Sequence, residues 1–356
     1  MKLAEYTQGR ENNFHLIRIV AAYAVLVSHS FVLATGEALN EPFVSSLGVT
    51  LGAIAVWVFF LASGLLITAS LLVKQDLNKF ISARALRIFP ALFVMLILSV
   101  FVMGPTLSTA PLITYLTDAE TYRYLAKSAT LLTGIGKTLP GLFQQNPFPG
   151  AVNGSLWTLK YEIRMYAILA LTWFVLTKIF SGWAHLFKIA IFTTSAGAGC
   201  LHLMSCMGYV AYRQDVQLFF MFFTGASFYL LRHHIEMSWR IFFAMAAILA
   251  ASLMTRLWFS MALTLTLPYL LFFLAYVPSG AIRKYNQVGD YFYGIYIYAF
   301  PIQQAVATYW PEVSAGGMIA LSTLIVLPLA MASWHLVEKP AMNWKFIHAK
   351  TSRLVR

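Results

Sequence analysis

The stretch IRIVAAYAVLVSHS, residues 17–30, lies inside an apolar run from Phe14 to about Thr35 that is long enough to cross a bilayer. It carries Arg18 and His29, although charge in the hydrocarbon region costs at least about 2.5 kcal/mol. Eleven residues complete about three helical turns, so both side chains share one face, roughly 16 Å apart along the axis. We therefore predict catalytic roles for both. The structural alternative is a snorkelling arginine and a histidine that hydrogen-bonds a neighbour.

The overall composition is that of a polytopic membrane protein. Of the 356 residues, 60% are hydrophobic and only 11% are charged, against about 25% charged in soluble domains. No polar stretch is long enough for a separate soluble domain. We therefore predict a single membrane domain, residues 1–356, with a core at 13–340 and a basic cytoplasmic tail at 341–356. Cys200 and Cys206 face different sides of a helix, so neither a disulfide nor a metal site is indicated.

Apolar runs predict an all-α fold with about ten membrane-spanning helices. They lie at about residues 14–35, 47–73, 88–105, 157–177, 188–209, 215–231, 240–255, 257–277, 287–310 and 316–337. With this division, seventeen Lys and Arg residues fall on one side and five on the other. The positive-inside rule then places both termini in the cytoplasm. Topology thus explains most of the basic excess behind the net charge of +12, and no nucleic-acid partner is needed to account for it.

The segment 106–154 is the longest connection between the predicted spans, and it is rich in proline and glycine. Its predicted position is extracytoplasmic. Long loops without regular structure are usually functional. We predict a lid or a substrate entrance here; the alternative is an ordinary surface loop.

The segment NGSLWTLKYEIRMY, residues 153–166, begins the fourth predicted span and places Glu162 one to two turns inside the membrane. Lys160 and Arg164 point about 200° away from it around the helix. Glu162 must therefore face another helix or a cavity. We predict a catalytic or substrate-orienting carboxylate; the alternative is a structural carboxylate paired with an arginine elsewhere.

Two features near the predicted cytoplasmic side suit an anionic donor. Arg84 and Arg87, in ISARALRIFP, share a face at the start of the third predicted span. Guanidinium groups beside free backbone amides at a helix N-terminus favour phosphate; the alternative is ordinary positive-inside residues. In the second span, Ser63 and Gly64 allow close approach of a helix or an acyl chain. Helix packing is the favoured interpretation, with Ser63 also a candidate for donor binding.

The segment VGDYFYGIYIYAFPIQQ, residues 288–304, combines tyrosines, a proline and glutamines in one span. Pro301 is expected to kink the helix and free backbone groups. The polar side chains then indicate the wall of a solvated cavity, which makes Tyr298 and Gln303 candidates for substrate binding. An interfacial aromatic belt is the alternative. Glu338, in the closing VEKP, is interpreted as structural.

Taken together, six features resemble the acyltransferase-3 family of integral membrane O-acyltransferases. They are the Arg18–His29 pair, FFLASG at 59–64, RALRIFP at 84–90, WTLKYEIRMY with Trp157, Glu162 and Tyr166, YGIYIYAFP at 293–301, and VEKP at 337–340. Thr158 stands where the family usually has serine and keeps the hydroxyl. Ala299 stands where many members have histidine, so the chain lacks that second histidine. Walker, GxGxxG, HExxH and GxSxG motifs are absent from the sequence, which disfavours a nucleophile-first hydrolase.

The resemblance implies an O-acyltransferase in the bacterial inner membrane. The donor would be cytoplasmic acetyl-CoA or another acyl-CoA, used as co-substrate without a metal. The acceptor would be a hydroxyl of an extracytoplasmic or lipid-linked glycan, such as an exopolysaccharide or O-antigen. The implied site residues are His29, Glu162 and Arg18 for catalysis, Arg84, Arg87 and Ser63 for the donor, and Trp157, Tyr166, Tyr298 and Gln303 for the acceptor.

Two other classes of function compete with this interpretation. A secondary transporter of a small anionic or sugar substrate would show inverted halves with broken helices in matching places, and the sequence shows no such symmetry. A non-catalytic membrane partner protein would not need an aligned arginine and histidine on one helical face. Histidine, whose pKa lies near neutrality, suits proton transfer from a hydroxyl.

Overall fold

A computed structural model describes residues 1–9, 11–180 and 184–343. Within these ranges the chain is helical and forms no β-strand; a single bridge joins Lys2 and Glu236. The predicted all-α class is therefore confirmed. Most of the predicted tail 341–356, from residue 344 onward, lies outside the described residues, as does Arg10.

Ten helices of 13 or more residues lie in the described part of the chain, one for each predicted span. They are α1 (Phe14–Thr35), α2 (Leu51–Lys74), α3 (Leu77–Leu98), α4 (Leu159–Phe174), α5 (Ala184–Cys206), α6 (Gln214–Leu230), α7 (Trp239–Ala251), α8 (Arg256–Tyr276), α9 (Phe292–Tyr309) and α10 (Ala315–Ser333). Among the described residues, six helical segments are long and apolar enough to cross a membrane; they correspond to α1, α2, α3, α5, α8 and α10. The protein is thus a multi-pass membrane protein. The count of ten spans and the cytoplasmic termini stay predictions.

Short helical segments complete the described chain. Single π-helical turns, Ser99–Met103, Val175–Ile179 and Trp334–Glu338, extend α3, α4 and α10. The other short α-helical or 3-10 segments are Leu3–Tyr6, Ala38–Asn40, Val44–Leu47, Gly104–Leu107, Leu112–Thr117, Ala119–Thr130, Gly154–Thr158, Ser252–Met254 and Gly280–Gln287.

The segment 106–154 is more regular than the sequence predicted. It contains the helices Leu112–Thr117 and Ala119–Thr130. The buried hydroxyl of Tyr115 donates to the carbonyl oxygen of Val100 at 2.8 Å, which ties the first of these helices to the end of α3. The segment is therefore not an irregular loop over its whole length: its weakly amphipathic part around residues 122–132 overlaps the second of these helices. Its role as a lid stays a prediction.

Helix α3 also begins earlier than the sequence predicted. It starts at Leu77, so Arg84 and Arg87 lie two to three turns inside it rather than at its N-terminus. Phe80 and Ile88 are both buried, so the first turns of α3 pack through a few apolar residues on one face. These turns also carry polar and charged residues, and a criterion based on mean hydropathy therefore leaves them out of the span. The backbone amides around both arginines are therefore inside the helix. The expectation that free N-terminal amides assist them is wrong.

Contacts group the described residues into two compact units. Unit 1 comprises Met1–Ala21, Phe43–Leu77 and Tyr161–Gly289. Unit 2 comprises Ala22–Pro42, Asn78–Lys160 and the described residues from Asp290 onward. Helix α1 contributes its first turns to unit 1 and the remainder to unit 2. The single membrane domain over 1–356 stays a prediction.

In unit 1, α2 and α6 pack backbone to backbone through a reciprocal pair of glycines. A Cβ atom on Gly64 would collide with the carbonyl oxygen of Phe222, and one on Gly225 would collide with the carbonyl oxygen of Leu61. This contact agrees with the interpretation of Gly64 as a packing residue. Neither helix can approach the other this closely with a larger side chain.

We expect Gly64→Ala and Gly225→Ala each to lower the free energy of unfolding by about 1–3 kcal/mol, as overpacking does. Gly197→Ala on α5 is the matched control, because a Cβ atom there meets no other atom within 4 Å. Thermal unfolding of the purified protein in detergent measures the difference. Equal melting temperatures for all three variants would contradict the close contact.

Candidate functional site

His29 packs against α9 in unit 2. Its ring meets the ring of Phe300 edge to face, with 5.3 Å between the centroids. Three residues along α9, the Gln303 amide nitrogen Nε2 donates to the carbonyl oxygen of Leu26 at 2.8 Å and to Ser30 Oγ at 2.7 Å. The predicted base and one predicted substrate residue thus belong to the same helix contact.

Two polar atoms at this contact are shielded from solvent and unsatisfied. Neither His29 Nδ1 nor Gln303 Oε1 has a hydrogen-bond partner among the described residues. A buried polar atom left unsatisfied costs about 1–3 kcal/mol, and such atoms in native proteins call for an explanation such as a catalytic role. The observation supports a functional assignment for His29.

Pro301 frees a backbone group of α9, as the sequence predicted. Because proline has no N–H, the carbonyl of Ile297, four residues earlier, receives no bond from it. Asn153 Nδ2 donates to this oxygen at 2.8 Å, and Asn153 Oδ1 accepts from the backbone N–H of Ser155 at 3.0 Å. The sequence analysis assigned no role to Asn153, although a proline in a membrane helix signals the need for such a donor.

The turn before α4 brings together hydroxyl groups and a predicted substrate residue. The oxygens of Thr158 and Tyr296 lie 2.5 Å apart, and Tyr296 donates to the carbonyl oxygen of Ser155 at 2.9 Å. Trp157 lies in the same turn and is partly exposed. The hydroxyl of Thr158 is therefore held in place by α9.

Glu162 belongs to unit 1, where it joins two other predicted site residues. Its Oε1 accepts hydrogen bonds from the Tyr166 hydroxyl, one turn along α4, and from Ser63 Oγ on α2 at 3.3 Å. It thus faces α2 rather than Lys160 and Arg164, as predicted. The structure does bring Ser63, Glu162 and Tyr166 together. The approach of Glu162 to His29 stays a prediction.

Arg18 lies in the first turns of α1, in the part that belongs to unit 1. Its guanidinium lies 6.0 Å from the centre of the Phe14 ring, which in turn meets Tyr276 edge to face at 5.4 Å. The start of α1 is fastened to the end of α8, because Asn13 Nδ2 donates to the carbonyl oxygens of Leu274 and Pro278, both at 2.9 Å. The catalytic role of Arg18 stays a prediction.

Arg87 forms a partly buried ionic cluster in unit 2, with its own side chain 14% exposed, Asp290 13% and Glu338 1%. Its Nη1 lies 2.8 Å from Glu338 Oε2 and its Nη2 lies 2.9 Å from Asp290 Oδ2. Three aromatic rings surround the guanidinium at 4.9–5.7 Å: Phe292, Tyr293 and Trp334. The cluster joins α3 to the start of α9 and the end of α10. Glu338 therefore has the structural contact that its interpretation predicted, whereas the sequence analysis missed Asp290.

Arg84 differs from Arg87, although they share a face of α3. Its Nε is shielded from solvent and has no hydrogen-bond partner in the part of the chain that the structure describes. A phosphate bound by Arg87 would compete with two carboxylates, whereas Arg84 offers an unused donor. Donor binding by either residue stays a prediction.

Tyr298 lies near the Arg87 cluster. It hydrogen-bonds Ser333, and Ser333 Oγ donates to Glu338 Oε1 at 2.9 Å. The structure thus places this predicted substrate residue with the ionic cluster.

In residues 1–9, 11–180 and 184–343, no three His, Cys, Asp or Glu side chains are placed to hold a metal ion.

Comparisons with known proteins bear on the chemistry of this arrangement. Residues 11–335 match the profile of the acyltransferase-3 family, an acyltransferase domain. The chain is 29% identical over 354 residues to an O-acetyl transferase of Shigella phage Sf6, covering 93% of this chain and 96% of that protein. It is 27% identical over 380 residues to nodulation protein 10 of Rhizobium leguminosarum bv. viciae, covering 95% of each. No solved structure matches the chain.

We expect Arg87→Ala to lower the free energy of unfolding by about 3–5 kcal/mol, because it leaves buried carboxylates without their counter-ion. Glu338, only 1% exposed, bears most of this effect. Arg84→Ala is the matched control on the same helix face and should change the melting temperature little. Equal loss of stability in the two variants would contradict the structural role of Arg87.

Proposed function

This chain belongs to the acyltransferase-3 family, and on that premise we propose that it is an O-acetyltransferase that modifies a glycan. It would take an acetyl group from cytoplasmic acetyl-CoA and transfer it to a hydroxyl of an extracytoplasmic or lipid-linked glycan, within a bacterial inner membrane. The name of the phage Sf6 relative supports the acetyl group. Family membership also favours an acyltransferase over a secondary transporter.

The observation that carries the proposal is His29, a histidine in a membrane helix whose Nδ1 has no partner among the described residues. A neutral imidazole carries a proton on one nitrogen and a lone pair on the other. His29 would use its lone pair to take the proton of the acceptor hydroxyl. Such general base catalysis contributes about 10²–10⁴-fold to the rate.

The reaction balances with the donor, the acceptor and one base. The acceptor oxygen forms a bond to the acetyl carbonyl carbon as its proton moves to His29. The C–S bond of the thioester then breaks, and the CoA thiolate receives a proton, which regenerates neutral His29. The products are an O-acetylated sugar and CoA.

The remaining predicted residues fit the two sides of this reaction. Arg84, with an unused buried donor, suits a phosphate of the acyl-CoA. Glu162, held by Ser63 and Tyr166, would hold a sugar hydroxyl or orient the base. Membrane lipids surround the spans, and the acceptor itself is a glycan on a lipid or a polymer.

We expect His29→Ala to reduce acetyl transfer by at least about 10²-fold, because the base is lost. The assay follows labelled acetyl from acetyl-CoA into the glycan in membranes at equal expression, together with the mass of the surface glycan. His185→Ala, which removes an exposed histidine of α5, is the control and should retain transfer. Near-normal turnover in His29→Ala would remove His29 from the mechanism.

We expect Glu162→Gln to bind acetyl-CoA normally but to lose most of the transfer to the acceptor. Glutamine keeps the shape and hydrogen bonding of the side chain but not its charge. Calorimetry measures donor binding, and the transfer assay measures the reaction. A lowered melting temperature with full catalysis per folded molecule would instead indicate a structural role.

A further inference from the structure

The orientation of the Gln303 amide follows from its partners. The Leu26 carbonyl oxygen only accepts hydrogen bonds, so it must face the NH₂ group. Ser30 Oγ already donates its proton to the same carbonyl at 2.9 Å, so it too accepts from Gln303. Both N–H donors of this side chain are therefore used. The amide oxygen, on a side chain with 0% exposure, is the atom left without a partner among the described residues.

The same contacts place the Gln303 amide beside His29. On α1, Leu26 and Ser30 lie on one side of His29, within about 100° of it around the helix. On α9, Phe300 lies one turn before Gln303 and packs on the imidazole ring. The same contact between α1 and α9 thus contains a shielded acceptor without a donor and a shielded ring nitrogen without a partner among the described residues. Each would satisfy the other.

We propose that Gln303 is a positioning residue: in the reacting state its Oε1 accepts a hydrogen bond from Nδ1–H of His29. The proposal rests on the proposed function, in which His29 is the base. A hydrogen-bond acceptor at Nδ1 selects the tautomer that carries the proton there, and this leaves the Nε2 lone pair free to take the hydroxyl proton. Hydrogen bonds of this kind are often loose before substrate binds and tighten in the reacting complex.

An amide suits this position in a membrane helix. A carboxylate at this position would add a buried negative charge, which is costly to remove from water. The neutral Gln303 amide orients the ring without that desolvation cost. When His29 takes the proton at Nε2, the amide oxygen remains an acceptor for Nδ1–H and stabilises the imidazolium. The proton stays on His29 Nε2 until it is transferred to the CoA thiolate.

The test compares three variants. Gln303→Met removes the acceptor at nearly constant length and should lower kcat about 10- to 100-fold, as loss of a partner that orients a metal-bound histidine does, with KM for acetyl-CoA unchanged. In Gln303→Glu, the acidic limb of the plot of kcat/KM against pH should move to higher pH by about 1–3 units, because a nearby carboxylate favours the imidazolium.

Gln304→Met is the matched control. Gln304 is equally buried, but its amide nitrogen donates to the carbonyl oxygens of Phe148 and Ala151 at 2.9 and 2.8 Å. Its loss should lower the melting temperature and leave the acidic limb in place. An acidic limb that stays fixed in Gln303→Glu, or that moves equally in Gln304→Met, would overturn the proposal.

A second measurement needs neither activity nor a folded variant of Gln303. Nitrogen-15 NMR of the histidine-labelled wild-type protein reports which ring nitrogen carries the proton, and the signal absent from His29→Ala identifies His29. We expect protonation at Nδ1; a neutral His29 protonated at Nε2 would overturn the proposal. A wild-type protein that transfers no acetyl group would contradict the proposed function. If the wild type is active, His29→Ala is inactive and the Gln303 variants behave like the wild type, only the inference about Gln303 is contradicted.

Discussion

Hydrocarbon provides no hydrogen bonds, and many polar groups of the described helices find partners within the protein. In unit 2, Arg87 shows this most clearly. A lone guanidinium this far along α3 would be costly to remove from water. Two carboxylates hold it: Asp290, two residues before α9, and Glu338, at the end of the π-helical turn that extends α10. The carboxylates, in turn, are tolerable only because the guanidinium is there. One ionic contact therefore fixes the relation of three helices.

The contact around His29 departs from this rule, and His29 is the residue for which we propose the role of base. Nearby polar groups of α9 are satisfied, including the Ile297 carbonyl and the Gln303 amide nitrogen. Two of the ten buried side-chain atoms without a partner among the described residues, His29 Nδ1 and Gln303 Oε1, lie in the same helix contact. The structure thus satisfies the backbone oxygen freed by Pro301 but leaves His29 Nδ1 and Gln303 Oε1 open to each other, which agrees with the proposed role of Gln303 in orienting the imidazole. Glu162, with Ser63 and Tyr166, is by contrast held by two hydroxyls.

Hydropathy was enough to predict the helical class and the place of each long helix, because lipid-facing and core-facing positions are both apolar. It misplaced the start of α3, since residues 77–87 pack through scattered apolar positions among polar ones. The direction of Glu162, away from Lys160 and Arg164, followed from helical geometry alone. Partners could not be predicted: Glu338 lies 251 residues from Arg87, and Ile297 lies 144 residues from Asn153. Such pairs depend on how helices pack, which a single sequence does not encode locally.

The bond between Asn153 and the Ile297 carbonyl has a consequence for how this sequence can change over generations. A relative that replaces Pro301 regains a backbone N–H, which competes with Asn153 for the same oxygen. A relative that replaces Asn153 leaves the Ile297 carbonyl oxygen without a hydrogen-bond donor. Either change alone removes or disturbs a satisfied hydrogen bond, so we expect substitutions at the two positions to be correlated across the family. A backbone irregularity in one helix thereby constrains a loop residue at the entrance to another.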